Sequence, residues 1–185
     1  NPLAPTLAGA YSADGYIHEN NVITYAGPDL AHVGKRISLN FHINANDRVT
    51  FVDVTDPSDM SRIGFTQPYP GASLCHQGWV TADHRFLLMN DEGDESGSNY
   101  NTRTHIFNIE DLETPVYTGF FSGPNPSYDH NLYVHQGLVW EANYTSGLHV
   151  LDHTNVASGS LSLVALFDTY TANNGKSYNG AWGNY

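Results

Sequence analysis

Val49-Thr50-Phe51-Val52-Asp53-Val54-Thr55-Asp56-Pro57 is the stretch on which the fold turns. All but one of its first six residues are β-branched or aromatic, which favours extended backbone. Thr-Asp-Pro then breaks the run in a turn. The pattern returns twice. Thr104-His105-Ile106-Phe107-Asn108-Ile109 runs into Glu110-Asp111-Leu112-Glu113-Thr114-Pro115, and Leu148-His149-Val150-Leu151-Asp152 runs into His153-Thr154-Asn155. Each is an apolar strand that reaches an Asp or Asn and then a polar turn.

The segments after each turn also match. Arg62-Ile63-Gly64-Phe65, Val116-Tyr117-Thr118-Gly119-Phe120-Phe121 and Leu163-Val164-Ala165-Leu166-Phe167 read as the next strands. A Gly/Pro/Asn-rich loop leads to a polar cluster: Ile17-His18-Glu19-Asn20, Cys75-His76-Gln77-Gly78-Trp79, Asp129-His130-Asn131-Leu132-Tyr133, and a near-match, Tyr178-Asn179-Gly180-Ala181-Trp182. Their key positions lie 58, 54 and 49 residues apart. Beyond them come Val22–Tyr25, Arg85–Asn90 and Leu138–Asn143. One unit is therefore about four strands over some 44 to 58 residues, the size of a β-propeller blade. Helix-period patterns are short and interrupted by Gly, Pro or Asn.

The spacing predicts an all-β chain with repeats at 1–48, 49–102, 103–146 and 147–185. That amounts to three to three and a half four-stranded antiparallel blades. Leu7-Ala8-Gly9-Ala10-Tyr11 reads as the second strand of a partial opening unit. Closed propellers have about 4–8 blades, so the chain is expected to be part of a larger propeller with open blade edges. Those edges suit pairing with further segments or subunits. Equivalent positions of stacked units converge in space, so His18, His76 and His130 are expected to be neighbours.

Composition limits the partners. Nineteen acidic and seven basic residues give a formal charge of −12. Nucleic acids and anionic membranes both demand cationic contacts, so neither is an expected partner. No apolar run approaches the about 20 residues that span a bilayer. Asn1-Pro2-Leu3-Ala4-Pro5 does not read as a leader, so the chain is either cytosolic or relieved of one. Cys75 is the one cysteine, which excludes an internal disulfide. Asn143-Tyr144-Thr145 is a glycosylation sequon, meaningful only outside the cell.

Two places could carry chemistry. Asn90-Asp91-Glu92-Gly93-Asp94-Glu95 packs four carboxylates into five residues, whose mutual repulsion a hard cation would relieve. It lacks the alternating acidic spacing of an EF-hand. Asp91, Glu92, Asp94, Glu95 and the nearby His76 are the candidate ligands, with Ca²⁺ the first expectation and Zn²⁺ the second. No organic cofactor is indicated. The histidines are the second place. Imidazoles with a carboxylate suit Zn²⁺ or acid–base work, while a residue repeated in every blade also suits a structural role. His18, His76, His130, Asn143 and Asn179 are the candidate funnel residues. His76 and His130 are the catalytic candidates, with Tyr128 or Tyr144 assisting. His32, His42, His84, His135 and His153 read as exposed, His105 and His149 as sheet residues, and Trp79, Trp140 and Trp182 as packing between blades, with stacking on a sugar ring the alternative. Arg103 is placed to neutralise part of the acidic loop or to contact an acidic ligand.

At Phe51-Val52-Asp53-Val54-Thr55-Asp56 and Leu148-His149-Val150-Leu151-Asp152 the chain resembles extracellular propellers with LVIVD-type repeats, grouped as choice-of-anchor B proteins. His76-Gln77-Gly78-Trp79, Asn101-Thr102-Arg103-Thr104, Asp129-His130-Asn131 and Asn179-Gly180-Ala181-Trp182 carry the same likeness, over about residues 14–185. The resemblance implies a secreted or surface-anchored propeller and supplies neither a reaction nor a catalytic residue. The expected role is a binding or adhesion module for an extracellular protein or glycan, with a cation at the acidic loop. An extracellular polysaccharide lyase or hydrolase using His76 and His130, or a structural part of an extracellular assembly, are the rival expectations.

Overall fold

A computed structural model describes residues 3–43 and 47–184. It contains three four-stranded antiparallel sheets, each built from strands in chain order. The first holds β1 (Glu19–Thr24), β2 (Arg36–His42), β3 (Arg48–Asp53) and β4 (Ser61–Phe65). The second holds β5 (Cys75–Val80), β6 (Phe86–Asp91), β7 (Arg103–Asn108) and β8 (Val116–Ser122). The third holds β9 (Asn131–His135), β10 (Leu138–Ala142), β11 (Leu148–Asp152) and β12 (Ser162–Phe167). These are successive blades of a β-propeller. β1, β5 and β9 touch across the sheets and form the inner side. β12, on the outer side, is exposed along its whole length.

The repeat has a physical basis at the third strand of each blade. The register slips between Phe51 and Val52, between Ile106 and Phe107, and between Val150 and Leu151. Such a bulge increases local twist, and it recurs just before the terminal Asp or Asn. That terminal side chain then accepts the N–H two residues on: Asp53 from Thr55 at 3.0 Å, Asn108 from Glu110 at 2.8 Å and Asp152 from Thr154 at 2.6 Å. This is the Asx turn, and it explains why the strands end in those residues. Counted from the Val49 strand, a repeat begins in mid-sheet, because the blades run 19–65, 75–122 and 131–167.

The middle blade is buried on both faces. Leu87 and Met89 of β6 join Ile37, Leu39, Phe41, Val49, Phe51 and Phe107 between the first two blades. Phe86 and Leu88 point the other way and join Ile106, Leu132, Val139 and Leu151 between the second and third. A strand with two buried faces must read as a continuous apolar run, as Phe86-Leu87-Leu88-Met89 does. The outer strands are pressed by the next blade. A Cβ on Gly64 would lie 2.1 Å from the Leu112 carbonyl oxygen, and one on Gly119 would lie 2.7 Å from that of Gly159. Only glycine admits so close an approach.

Polar groups tie neighbouring blades. Asn21 Nδ2 donates to the Gly78 carbonyl at 2.6 Å. The Gln77 amide donates to the Leu132 carbonyl at 3.0 Å and accepts the Leu132 N–H at 2.9 Å. His32 meets Glu113 at 2.8 Å, while Asp29 accepts the Leu112 N–H at 3.2 Å.

Several expectations are corrected. Leu7–Tyr11 forms no strand and is largely exposed; β2 supplies the second strand of the first blade. His32 and His42 are buried. The His42 ring donates from Nδ1 to the Tyr16 carbonyl and contacts Thr50 Oγ1, both at 2.9 Å. Trp79 does pack against Tyr133 of the next blade, with ring centroids 4.9 Å apart. Trp182 instead is 68% exposed.

Candidate functional site

The three histidines meet. The His18 and His76 rings lie 4.5 Å apart, and those of His76 and His130 lie 4.2 Å apart. Each stands where the chain enters an inner strand. His18 precedes β1, with its N–H on the Phe41 carbonyl at 2.9 Å, and His130 precedes β9. His76 lies within β5 but outside its ladder: Cys75 pairs with Asp91 and Gln77 with Asn90, so His76 is the bulged residue. A bulge re-aims its side chain without breaking the sheet.

Glu92, just past β6, sits against the cluster. Its carboxylate is 3.7 Å from His76 Nε2 and 3.8 Å from His130 Nε2. Tyr144 donates its hydroxyl to the same carboxylate. Tyr144 reaches it from a tight turn, with φ at +40°. That left-handed conformation costs an ordinary side chain of order 1 kcal/mol or more and marks a constrained position. The turn is closed by Asn143 N–H to the Gly147 carbonyl at 2.8 Å and Gly147 N–H to the Tyr144 carbonyl at 3.0 Å. His18, Glu19, His76, Glu92, His130, Asn131, Tyr144 and Trp182 line a cavity of about 300 Å³.

The protonation states follow from burial. His76 is pushed down to about 3 by desolvation first, then by the imidazoles of His130 and His18. His130 is pushed down to about 4, again mainly by desolvation. Burial raises Glu92. The His76–Glu92 distance is within ion-pair range, yet desolvation keeps the imidazole neutral at pH 7, so the contact is polar rather than ionic. His130 has a defined tautomer. Its Nδ1–H donates to the Trp182 carbonyl, and its Nε2 lone pair accepts the Trp182 indole N–H at 2.8 Å. His76, Glu92 and His130 present two nitrogens and a carboxylate within 4.8 Å of one another, a donor set that suits zinc. The Trp182 N–H occupies the His130 lone pair that such an ion would need.

The acidic loop does not act as one unit. Asp91 is spent on the backbone and Tyr69: Oδ2 accepts the Tyr69 hydroxyl at 2.6 Å and the Ser73 N–H at 2.9 Å. Its Oδ1 accepts the N–H groups of Leu74 at 2.7 Å and Gly93 at 3.0 Å. Glu92 turns to the histidines. Asp94 Oδ2 accepts from Arg103 Nε and His105 Nε2, both at 2.9 Å. Glu95 is fully buried near Asp94 and Asp129. The five expected ligands are thus divided among three environments. Asp129 joins one of them, although it stands far from the acidic loop in sequence.

Other expected site residues lie elsewhere. Asn143 is fully buried beside Glu141, which accepts its Nδ2–H at 3.4 Å. A glycan on that nitrogen does not fit the folded chain, so the sequon reading is corrected. Asn179 is exposed and donates to Ser177 Oγ at 2.7 Å; Trp182, three residues on, lines the cavity instead. Tyr128 stacks on Tyr178 at 5.0 Å and does not line the cavity. Among the described residues no helix is long and apolar enough to cross a membrane.

No family model and no curated protein matches the chain. Among solved structures it is similar to the periplasmic gluconolactonase PpgL of Pseudomonas aeruginosa, with a TM-score of 0.54 and 17% identity. The match covers 75% of this chain, which spans only 40% of the length of that protein. A likeness at that identity speaks for the fold: this chain has the architecture of β-propeller blades.

Proposed function

We propose that the chain is the ligand-binding part of an extracellular propeller of the LVIVD-repeat, choice-of-anchor B kind, and that the histidine cavity takes a glycan. The observation that carries this reading is the convergence of His18, His76 and His130 on Glu92 and Tyr144 beneath an exposed aromatic rim. Trp182 is 68% exposed, Tyr178 67% and Tyr16 61%. Exposed indole and phenol faces suit the apolar faces of sugar rings. Neutral imidazoles beside a carboxylate supply the mixed donors and acceptors that sugar hydroxyls need. The acidic surface argues against polyanionic partners. The test is calorimetric titration of the chain with a panel of neutral oligosaccharides. Saturable binding is expected, weakened roughly tenfold (about 1.4 kcal/mol) in Trp182→Ala and in His76→Ala. Absence of saturable binding across the panel, or unchanged affinity in both variants, would refute it.

A second reading is catalytic. It is favoured by Glu92, whose burial-raised carboxyl lies between two neutral imidazoles, an arrangement suited to general acid–base work. The fold neighbour is named as a gluconolactonase, so a sugar lactone is the substrate class to try. Under this reading the chain accelerates opening of gluconolactone in a pH-indicator assay, and Glu92→Gln lowers the rate by roughly 100-fold. A rate equal to the uncatalysed one would discard it.

A further inference from the structure

Behind the histidine cavity lies a second group of ionisable side chains with a different chemistry. Asp94 and Glu95 come from the loop between β6 and β7, and Asp129 from the connection between β8 and β9. All three are nine-tenths or more buried. One oxygen of each lies within 4.8 Å of the others.

Two of the six carboxylate oxygens are accounted for by protein partners. Asp94 Oδ2 accepts from Arg103 and His105, and Arg103 Nη2 lies 2.7 Å from the same oxygen. Asp129 Oδ2 accepts the Arg103 N–H at 3.1 Å. The other oxygens are not: Asp94 Oδ1, Asp129 Oδ1 and both Glu95 oxygens are buried without a hydrogen bond. The N–H groups of Glu95 and Asp129 approach the Glu95 carboxylate closely enough to favour its charge, and Asp94 closely enough to favour a proton on it, but none closes a hydrogen bond of normal geometry. Buried polar atoms are nearly always paired, and an unpaired buried carboxylate costs several kcal/mol. Four such oxygens on three neighbouring side chains require a cationic partner or protons.

We propose that Asp94, Glu95 and Asp129 form a buried site for a hard divalent cation, calcium in size, that fastens the second blade to the chain entering the third. The oxygens are of the kind and spacing that fit. Calcium takes six to eight oxygen ligands at about 2.3–2.6 Å, so two ligands across the ion stand at most about 5 Å apart. Magnesium demands shorter distances and gives up its water reluctantly, which suits a fully buried site poorly. Charge also matches: three carboxylates against the Arg103 guanidinium leave a formal −2. Without a cation the cluster must hold protons, and burial together with the neighbouring acids does push Glu95 up to about 9. Lys176 reaches over the loop to donate to the carbonyls of Glu95 and, at 2.6 Å, Ser98. That cation satisfies the loop backbone and leaves the carboxylate oxygens to the site.

This site is independent of the glycan reading, which rests on the histidine cavity. The experiment is titration of CaCl₂ into the chelator-stripped chain, followed by calorimetry and by the thermal midpoint. The wild type is expected to bind calcium and to melt higher with it. Glu95→Gln keeps shape and volume but removes a charged ligand, and is expected to lower calcium affinity at least tenfold. Glu92→Gln, which alters the histidine cavity only, is expected to bind calcium as the wild type does. No heat and no rise in midpoint in the wild type would overturn the proposal, as would wild-type affinity in Glu95→Gln. Loss of calcium binding in Glu92→Gln would also overturn it by moving the ion to the other cavity. Should Glu95→Gln not fold, Asp129→Asn takes its place, with the same tenfold loss expected and the same refutation if affinity is unchanged.

Discussion

At the scale of single residues, burial decides what each histidine is. His149 and His76 show the rule. His149 is fully enclosed, and Ser146 Oγ, which accepts from Asn125 at 2.8 Å, contacts its Nε2 at 2.7 Å. Desolvation pushes the imidazole down to about 4, against about 6.5 in an unfolded chain. The neutral ring therefore contributes stability that is complete above about pH 6.5 and is lost as the pH falls toward 4. His149→Gln removes that dependence. Between pH 7 and pH 5 the wild type should lose about 2 kcal/mol relative to the variant, read from urea unfolding at each pH. A gap that does not change with pH would show that His149 is not held neutral. Sequence position gives no hint of burial for His32 and His42. They stand in polar stretches, and only tertiary neighbours (Glu113 for one, Tyr16 and Thr50 for the other) bury them.

At the scale of elements, the strands are legible in the sequence and their ties to other blades are not. A β-branched run ending in Asp or Asn is a local signal, and the Asx turns at Asp53, Asn108 and Asp152 are its local cause. β2 escapes such a reading because its residues alternate between an apolar and a polar set, Ile37, Leu39 and Phe41 against Ser38, Asn40 and His42. That alternation is itself a strand signal; what it does not reveal is that the polar set is buried as well. Gln77 is the clearest non-local tie. Its amide satisfies both the N–H and the carbonyl of Leu132 on the neighbouring inner strand. Gln77→Leu matches its bulk and leaves both backbone groups buried and unpaired. Each orphaned group costs about 1–3 kcal/mol, so thermal or urea unfolding should show a loss of about 2–6 kcal/mol. A loss below about 1 kcal/mol would mean that water replaces the amide.

At the scale of the whole molecule, the propeller is readable because its period is written into the chain, and the division of the acidic loop is not. Four carboxylates within five residues look like one site in sequence. In space, successive residues past β6 point in different directions: Asp91 back into the turn at Ser73, Glu92 toward the inner histidines, Asp94 and Glu95 into the second blade. Asp129 is visible beside His130, yet its partners lie 34 and 35 residues earlier in the chain. Only the docking of the third blade on the second brings them together. Composition, by contrast, gives a bulk property that holds at this scale: a charge of −12 with few cations left over for an anionic partner.

The bulge at His76 has a consequence for how such a molecule changes over generations. His18 and His130 precede their strands, and His76 is skipped by its ladder, so none of the three is needed to register a blade. Mutation can rewrite the ring of side chains one spoke at a time, while the scaffold beneath stays under a separate selection.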